Sequence, residues 1–146
     1  MTRLLLVDDD CSFTESFKAL FSEQGYEVVT LVNGDGLLEL LLEQDFDVVI
    51  LDNYLNGKSG VEILHLLNQM EEDTGWHKPP VVLLTGDNSP DMELRARLAK
   101  SDFFLLKPCD YQELEERIEE ALKKGQTKKS FQRDEAPVSI IESVRE

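Results

Sequence analysis

DVVILDNYLNGKSGVEIL, residues 47–64, is the stretch on which the fold turns. Asp47–Leu51 reads as a strand whose apolar character is continuous, not alternating, so the strand must be covered on both faces. The run stops at a carboxylate, Asp52, and a polar turn follows. From Val61 the apolar residues Ile63, Leu64, Leu66 and Leu67 recur at helical spacing. A doubly covered strand that feeds a helix through a short turn is the repeating unit of a parallel sheet.

The same alternation extends in both directions. Leu4–Val7 reads as a first buried strand, and Phe13, Phe17, Leu20 and Phe21 line one face of the helix after it. Ser12 with Glu15 predicts a capping box at its start, and Gly25 suits its end. Tyr26–Leu31 is a second strand, followed by a leucine-rich helix over about 35–44, entered through Asn33-Gly34-Asp35-Gly36. EEDTGWHKPP, residues 71–80, reads as a polar loop, and Val81–Leu84 as a fourth strand. Ser89-Pro90 starts a helix, with Ser as N-cap and Pro in the first turn. Asp102–Leu106 is a fifth strand. Asp110 and Glu113 open a last helix with the face Leu114, Ile118, Ala121 and Leu122, which Gly125 should close. Five strands alternating with five helices predict an α/β fold: a five-stranded parallel sheet, doubly wound as (βα)5, in three α/β/α layers.

With 146 residues the chain fits one domain, expected over residues 1–125. Residues 126–146 are expected to be a polar C-terminal tail or linker, with Ile140, Ile141 and Val144 available for one more amphipathic turn. A composition of 41% hydrophobic and 31% charged residues supports a packed core. The formal net charge of -15, from 30 acidic and 15 basic side chains, repels phosphate backbones and argues against direct nucleic-acid binding. No apolar stretch approaches a membrane span or a signal-peptide core, so the expected location is cytoplasmic. Cys11 and Cys109 read as two reduced thiols.

In a parallel sheet all strand C-termini lie at one edge, and ligands bind there at the switch in strand order. The first strand ends in Asp8, Asp9 and Asp10, the third in Asp52, the fourth in Thr85 and the fifth in Lys107. Clustered carboxylates require a cation or a proton. Magnesium suits oxygen ligands that include phosphate. Lys107 supplies a point charge for a carboxylate or phosphoryl oxygen, Thr85 a hydroxyl donor, and an Asp carboxylate can act as a nucleophile.

This set resembles the receiver domain of bacterial two-component response regulators, over residues 3–124. The resemblance implies a flavodoxin-like, chemotaxis-regulator-like fold. It makes Asp52 the phospho-acceptor and Asp8, Asp9, Asp52 and the Tyr54 backbone carbonyl the magnesium ligands. It assigns Thr85 and Lys107 to the phosphoryl group, Phe104 to the aromatic switch, Pro108 to a cis Lys-Pro bond and Gly60 to the loop after the acceptor. The implied partners are a histidine kinase or histidine phosphotransfer protein and a downstream effector or lost output domain, with homodimerisation through the switch face formed by the fourth helix and fifth strand. The chain would be a signalling domain, not an enzyme, although it assists its own phosphotransfer and autodephosphorylation. Asn56, Ser59, Gly86 and Lys100-Ser101 depart from common family residues and bear on loop geometry and dephosphorylation rate.

Two alternatives compete. A haloacid-dehalogenase-type phosphatase would use Asp8 and Asp10 as its Asp-x-Asp pair, but would leave Asp52 without a role. A degenerate receiver would keep the fold as a protein-binding module and lose the chemistry. Gly57-Lys58-Ser59 imitates a phosphate-binding loop, but Asp52 stands where that loop needs its first glycine. His65 and His77 read as surface histidines, and Lys123, Lys124, Lys128 and Lys129 as a basic helix end and linker.

Overall fold

The computed structural model describes the backbone of residues 1–135 and the side chains of residues 1–126. In chain order the elements are β1 (Arg3–Val7), α1 (Cys11–Glu23), β2 (Glu27–Leu31), α2 (Leu37–Glu43), β3 (Val48–Asp52), β4 (Tyr54–Leu55), β5 (Lys58–Ser59), α3 (Gly60–Thr74), β6 (Val81–Thr85), α4 (Pro90–Leu98), β7 (Phe103–Leu106) and α5 (Tyr111–Glu135). The main sheet is parallel, with strand order β2-β1-β3-β6-β7. This is the predicted doubly wound fold.

The apolar runs explain the three layers. Leu5, Val7, Val49, Leu51, Val81 and Leu83 face a core completed by α2, α3 and α4. Their neighbours Leu4, Leu6, Val48, Ile50, Val82 and Leu84 face the opposite core, completed by α1 and α5. Successive strand residues point to opposite faces, so a continuous run of Leu, Val and Ile feeds both cores at once. The chain winds one way from β1 to β2, then returns to place β3 on the other side of β1. That reversal opens a crevice at the C-terminal ends of β1 and β3. Because Val7 pairs with Leu51, the residues that follow, Asp8 and Asp52, emerge side by side.

Several boundaries differ from the sequence reading. The N-cap of α1 is Asp10, whose carboxylate accepts from the Phe13 N–H at 3.1 Å, and Ser12 lies inside the helix. The Asp10 N–H donates to Asp8 Oδ1 at 2.9 Å, so the chain has already turned one residue before the expected capping box. Helix α3 runs through residues 71–74, which were expected to be loop. Polar residues do not end a helix; the left-handed Gly75 at φ 76° does. Helix α5 likewise continues through Gly125 to Glu135, where a stop and a tail were expected. A Cβ at Gly125 would stand 3.1 Å from Pro80 Cγ, so this glycine permits close packing and does not end the helix. The remaining tail, with Ile140, Ile141 and Val144, lies outside the described residues.

The turn after Asp52 holds an antiparallel pair, β4 with β5, closed by Asn56 at φ 44° and Gly57 at φ 87°. Two successive positive φ angles at Asn-Gly make the tight turn that joins antiparallel strands without splaying them. Gly60 then lets α3 start against the acceptor strand: a Cβ there would meet the Asp52 carbonyl oxygen at 2.5 Å and Asn53 Cα at 2.9 Å. We expect Gly60→Ala to push α3 off this turn and to cost about 1–3 kcal/mol, the usual scale of overpacking. Urea unfolding of the variant beside wild type measures the loss; an unchanged midpoint would contradict the packing argument.

Candidate functional site

Four of the predicted residues meet at the crevice. Lys107 Nζ lies 2.6 Å from Asp8 Oδ2 and 3.5 Å from Asp52 Oδ1. Carboxylate oxygens of Asp8, Asp9 and Asp52 fall within 4.8 Å of one another. Asp8 is fully buried and Asp52 nearly so, while Asp9 is half-buried and opens the cluster to solvent. Lys107 thus reaches both carboxylates, Asp8 more closely than Asp52. Its principal partner is Asp8, because that carboxylate has no access to water and most needs a counter-charge. Phe13 helps to fix the ammonium, which sits 4.9 Å from the ring centroid.

The donor set suits a divalent cation. Three carboxylates face one ammonium, so the ionised cluster carries excess negative charge. Burial pushes the Asp52 carboxyl up to about 6, and the Asp8 charge pushes the same way; Lys107 and the Tyr54 N–H pull it down, but less. Burial also lowers the Lys107 ammonium, yet its hydrogen bond to Asp8 and the charges of Asp52 and Asp8 more than offset this and raise it overall. The lysine therefore stays charged and Asp52 is held ready to gain a cation or a proton.

Thr85 ends β6 on the same edge, buried, and its carbonyl accepts from the Lys107 N–H at 2.7 Å. Its hydroxyl accepts from the Asp87 N–H at 3.1 Å. Phe104 lies beside Leu83 in the β6–β7 register, half-buried, at a cavity of about 290 Å³ also lined by Ala96 and Arg97 of α4. The Lys107-Pro108 bond is cis. Tyr54 turns its side chain to solvent, 75% exposed. Asp10 is spent on capping α1, which removes the second carboxylate that the Asp-x-Asp phosphatase alternative requires. His65 and His77 are exposed, as expected.

Sequence reasoning missed Asn53. Its Oδ1 accepts from the Val61 N–H at 3.0 Å and the Ser59 hydroxyl at 3.1 Å, tying the acceptor strand to the start of α3. An Asn after a strand reads as a turn former, and only the folded contacts reveal this bracing. Phe13 was assigned to a helix face, and its second contact, with Lys107, depends on a residue far along the chain.

The raised Asp52 pKa has a consequence for stability. A carboxyl that is a stronger base when folded binds its proton preferentially in the native state. Its contribution therefore favours folding at low pH and is lost as pH rises from near 3.8 towards about 6. In chelator, we expect Asp52→Asn to stabilise the protein by about 1–2 kcal/mol near neutral pH, after discounting for solvent screening. The gain should vanish near pH ~4, where wild-type Asp52 is protonated in the native state. Denaturant unfolding across this range checks it; an Asn variant no more stable than wild type at neutral pH would contradict the electrostatic account.

Comparison with known proteins agrees with this geometry. Residues 4–119 match the response regulator receiver domain family. The transcriptional regulatory protein CpxR of Escherichia coli K12 is 33% identical over 126 residues, covering 86% of this chain and 51% of CpxR. The chain spans about half the length of the curated relatives it matches, or less. A CheY-like receiver domain from Methanospirillum hungatei has the same fold, with TM-score 0.77 at 24% identity, covering 88% of this chain and 98% of that one. The Thermotoga maritima response regulator TrrA, solved in complex with Mg(2+)-BeF, aligns with TM-score 0.70 at 30% identity, over 84% of this chain and 100% of that one. With its doubly wound sheet and its acidic cluster at the switch in strand order, this chain belongs to the receiver domains of two-component response regulators.

Proposed function

We propose that Asp52 is the phospho-acceptor and that a histidine kinase or histidine phosphotransfer protein is the donor. The observation that carries this reading is the single ammonium of Lys107 reaching both Asp8, at 2.6 Å, and Asp52, at 3.5 Å, inside a cluster of three carboxylates. Asp8, Asp9 and Asp52, with the Tyr54 carbonyl, would hold magnesium. Bound there, magnesium supplies positive charge that offsets the charge developing on a transferring phosphoryl group.

The chain's own groups supply the remainder. An Asp52 carboxylate oxygen attacks the phosphorus of the donor. The bond from phosphorus to the donor nitrogen breaks, and its electron pair stays with that nitrogen. Lys107 is anchored on Asp8 and stays charged, so it can move its second contact from Asp52 to a phosphoryl oxygen. Thr85 turns its hydroxyl towards another phosphoryl oxygen and gives up its contact with Asp87. Phe104 then turns inward into the space Thr85 leaves, which alters the face formed by α4 and β7. Leu94, Leu98 and Leu106 are exposed on these elements and give a partner, or a second copy, an apolar surface to read. Residues 1–125 act as the switch and 126–146 as a polar tail or linker, and an effector or output domain reads the switch face. The protein signals, and its only chemistry is on itself. Donors of this kind place it in the cytoplasm, and no helix among the described residues is long and apolar enough to cross a membrane.

The experiment is incubation with a small acyl phosphate and magnesium, followed by intact-mass measurement. Wild type should gain one phosphoryl group and Asp52→Asn none. Lys107→Ala should slow the gain by on the order of 10²–10³-fold, the scale of losing a charge-stabilising group. An unmodified wild type, under conditions that modify another receiver, would favour the protein-binding module without chemistry.

A further inference from the structure

Helix α4 is weakly seated. It buries only Met92 and Ala96, with Ala99 following at its C-cap, while Leu94 and Leu98 face solvent. Two side-chain amides hold its ends, and they differ in strength. At the C-terminal end, Asn68 Nδ2 donates to the Ala99 carbonyl at 2.6 Å. The same Asn68 accepts, through Oδ1, from the ammonium of Lys78, a buried lysine. A charged donor polarises the amide and strengthens its own donation, so this end is clamped. At the N-terminal end, Asn53 Nδ2 donates to the Met92 sulfur at 3.3 Å. A thioether is a weak acceptor, so this contact yields first.

Asn53 is also the residue next to the acceptor. Its N–H donates to the Leu84 carbonyl at 2.7 Å, its carbonyl accepts from the Gly60 N–H at 2.9 Å, and its Oδ1 is fixed by Ser59 and Val61. Asn53 follows Asp52 directly in the chain, so a rearrangement at the acceptor moves the turn on which Asn53 sits. Every polar atom of Asn53 is thus engaged, and only one of its partners belongs to α4. A displacement of the turn can be relieved at the Met92 contact at the least cost.

We propose that Asn53 is a positioning residue that carries the state of Asp52 to the first turn of α4 through the Met92 sulfur. The helix then pivots about its Asn68-clamped C-terminal end instead of translating as a body. This path rests on Asp52 being the acceptor, and it runs apart from the Thr85 and Phe104 side of the site.

The test uses the full ¹⁵N-labelled chain with beryllium fluoride and magnesium as the probe. In wild type, the probe should shift the amide resonances of Asp91, Met92 and Glu93 strongly and those of Arg97, Leu98 and Ala99 little. Met92→Leu keeps the volume and removes the acceptor. Asn53→Asp keeps the oxygen that Ser59 and Val61 need and removes the donor. Each should still bind the probe but lose roughly half or more of the response at residues 91–93, and the double variant should lose no more than either single one, as expected when both changes break one contact. A full response in both single variants would overturn the proposal, as would a wild-type response that is uniform along α4. Failure of the wild type to bind the probe at all would instead overturn the reading of Asp52 on which the proposal rests.

Discussion

The ammonium of Lys107 bridges Asp8 on β1 and Asp52 on β3, at 2.6 Å and 3.5 Å. Two carboxylates buried on adjacent strands would repel each other strongly in a poorly solvating interior, and one lysine offsets only part of that. The residual negative charge, increased by Asp9, is what the site has to offer a cation and a phosphoryl group. A perfectly neutralised cluster would be more stable and would have no affinity for either.

That arrangement depends on the sheet. The register pairing Val7 with Leu51 brings the two aspartates out together, and the β6–β7 register pairing Thr85 with Leu106 delivers Lys107 to the same edge. Register in turn is held by the fully buried runs of β3 and β6, which fill both cores. A slip by one residue would exchange the two faces and carry Asp52 away from the crevice. The apolar strands and the charged site are thus one construction, with the packing of Leu, Val and Ile offsetting the electrostatic cost at their ends.

Much of this was legible in the amino-acid order, for a physical reason. Leu4–Val7, Val48–Leu51 and Val81–Leu84 are short, continuous and apolar, and strands of that kind belong between helices. Strand ends fall at one edge in any parallel winding, so Asp8, Asp9, Asp52 and Thr85 after these runs, and Lys107 after Phe103–Leu106, could be placed together by position alone. What escaped the sequence reading depends on competition or on distant contacts. Asp10 outcompeted Ser12 for the cap because Asp8 had already turned the chain. Gly125 continues a helix because Pro80 packs against it. The Asn56-Gly57 pair is a strong local turn signal that was passed over. Asn53 reads locally as a turn former only, since nothing near it signals its contact with Met92, 39 residues away.

The most direct measurement is an NMR titration of the Asp52 carboxyl carbon in the intact protein, first in chelator and then with magnesium. The account predicts a metal-free midpoint at about 6, raised by burial and by Asp8, that falls when magnesium is added and shares the charge. An Asp52 that titrates in the ordinary carboxylate range and ignores magnesium would contradict it, because the charge imbalance on which the site is built would then be absent.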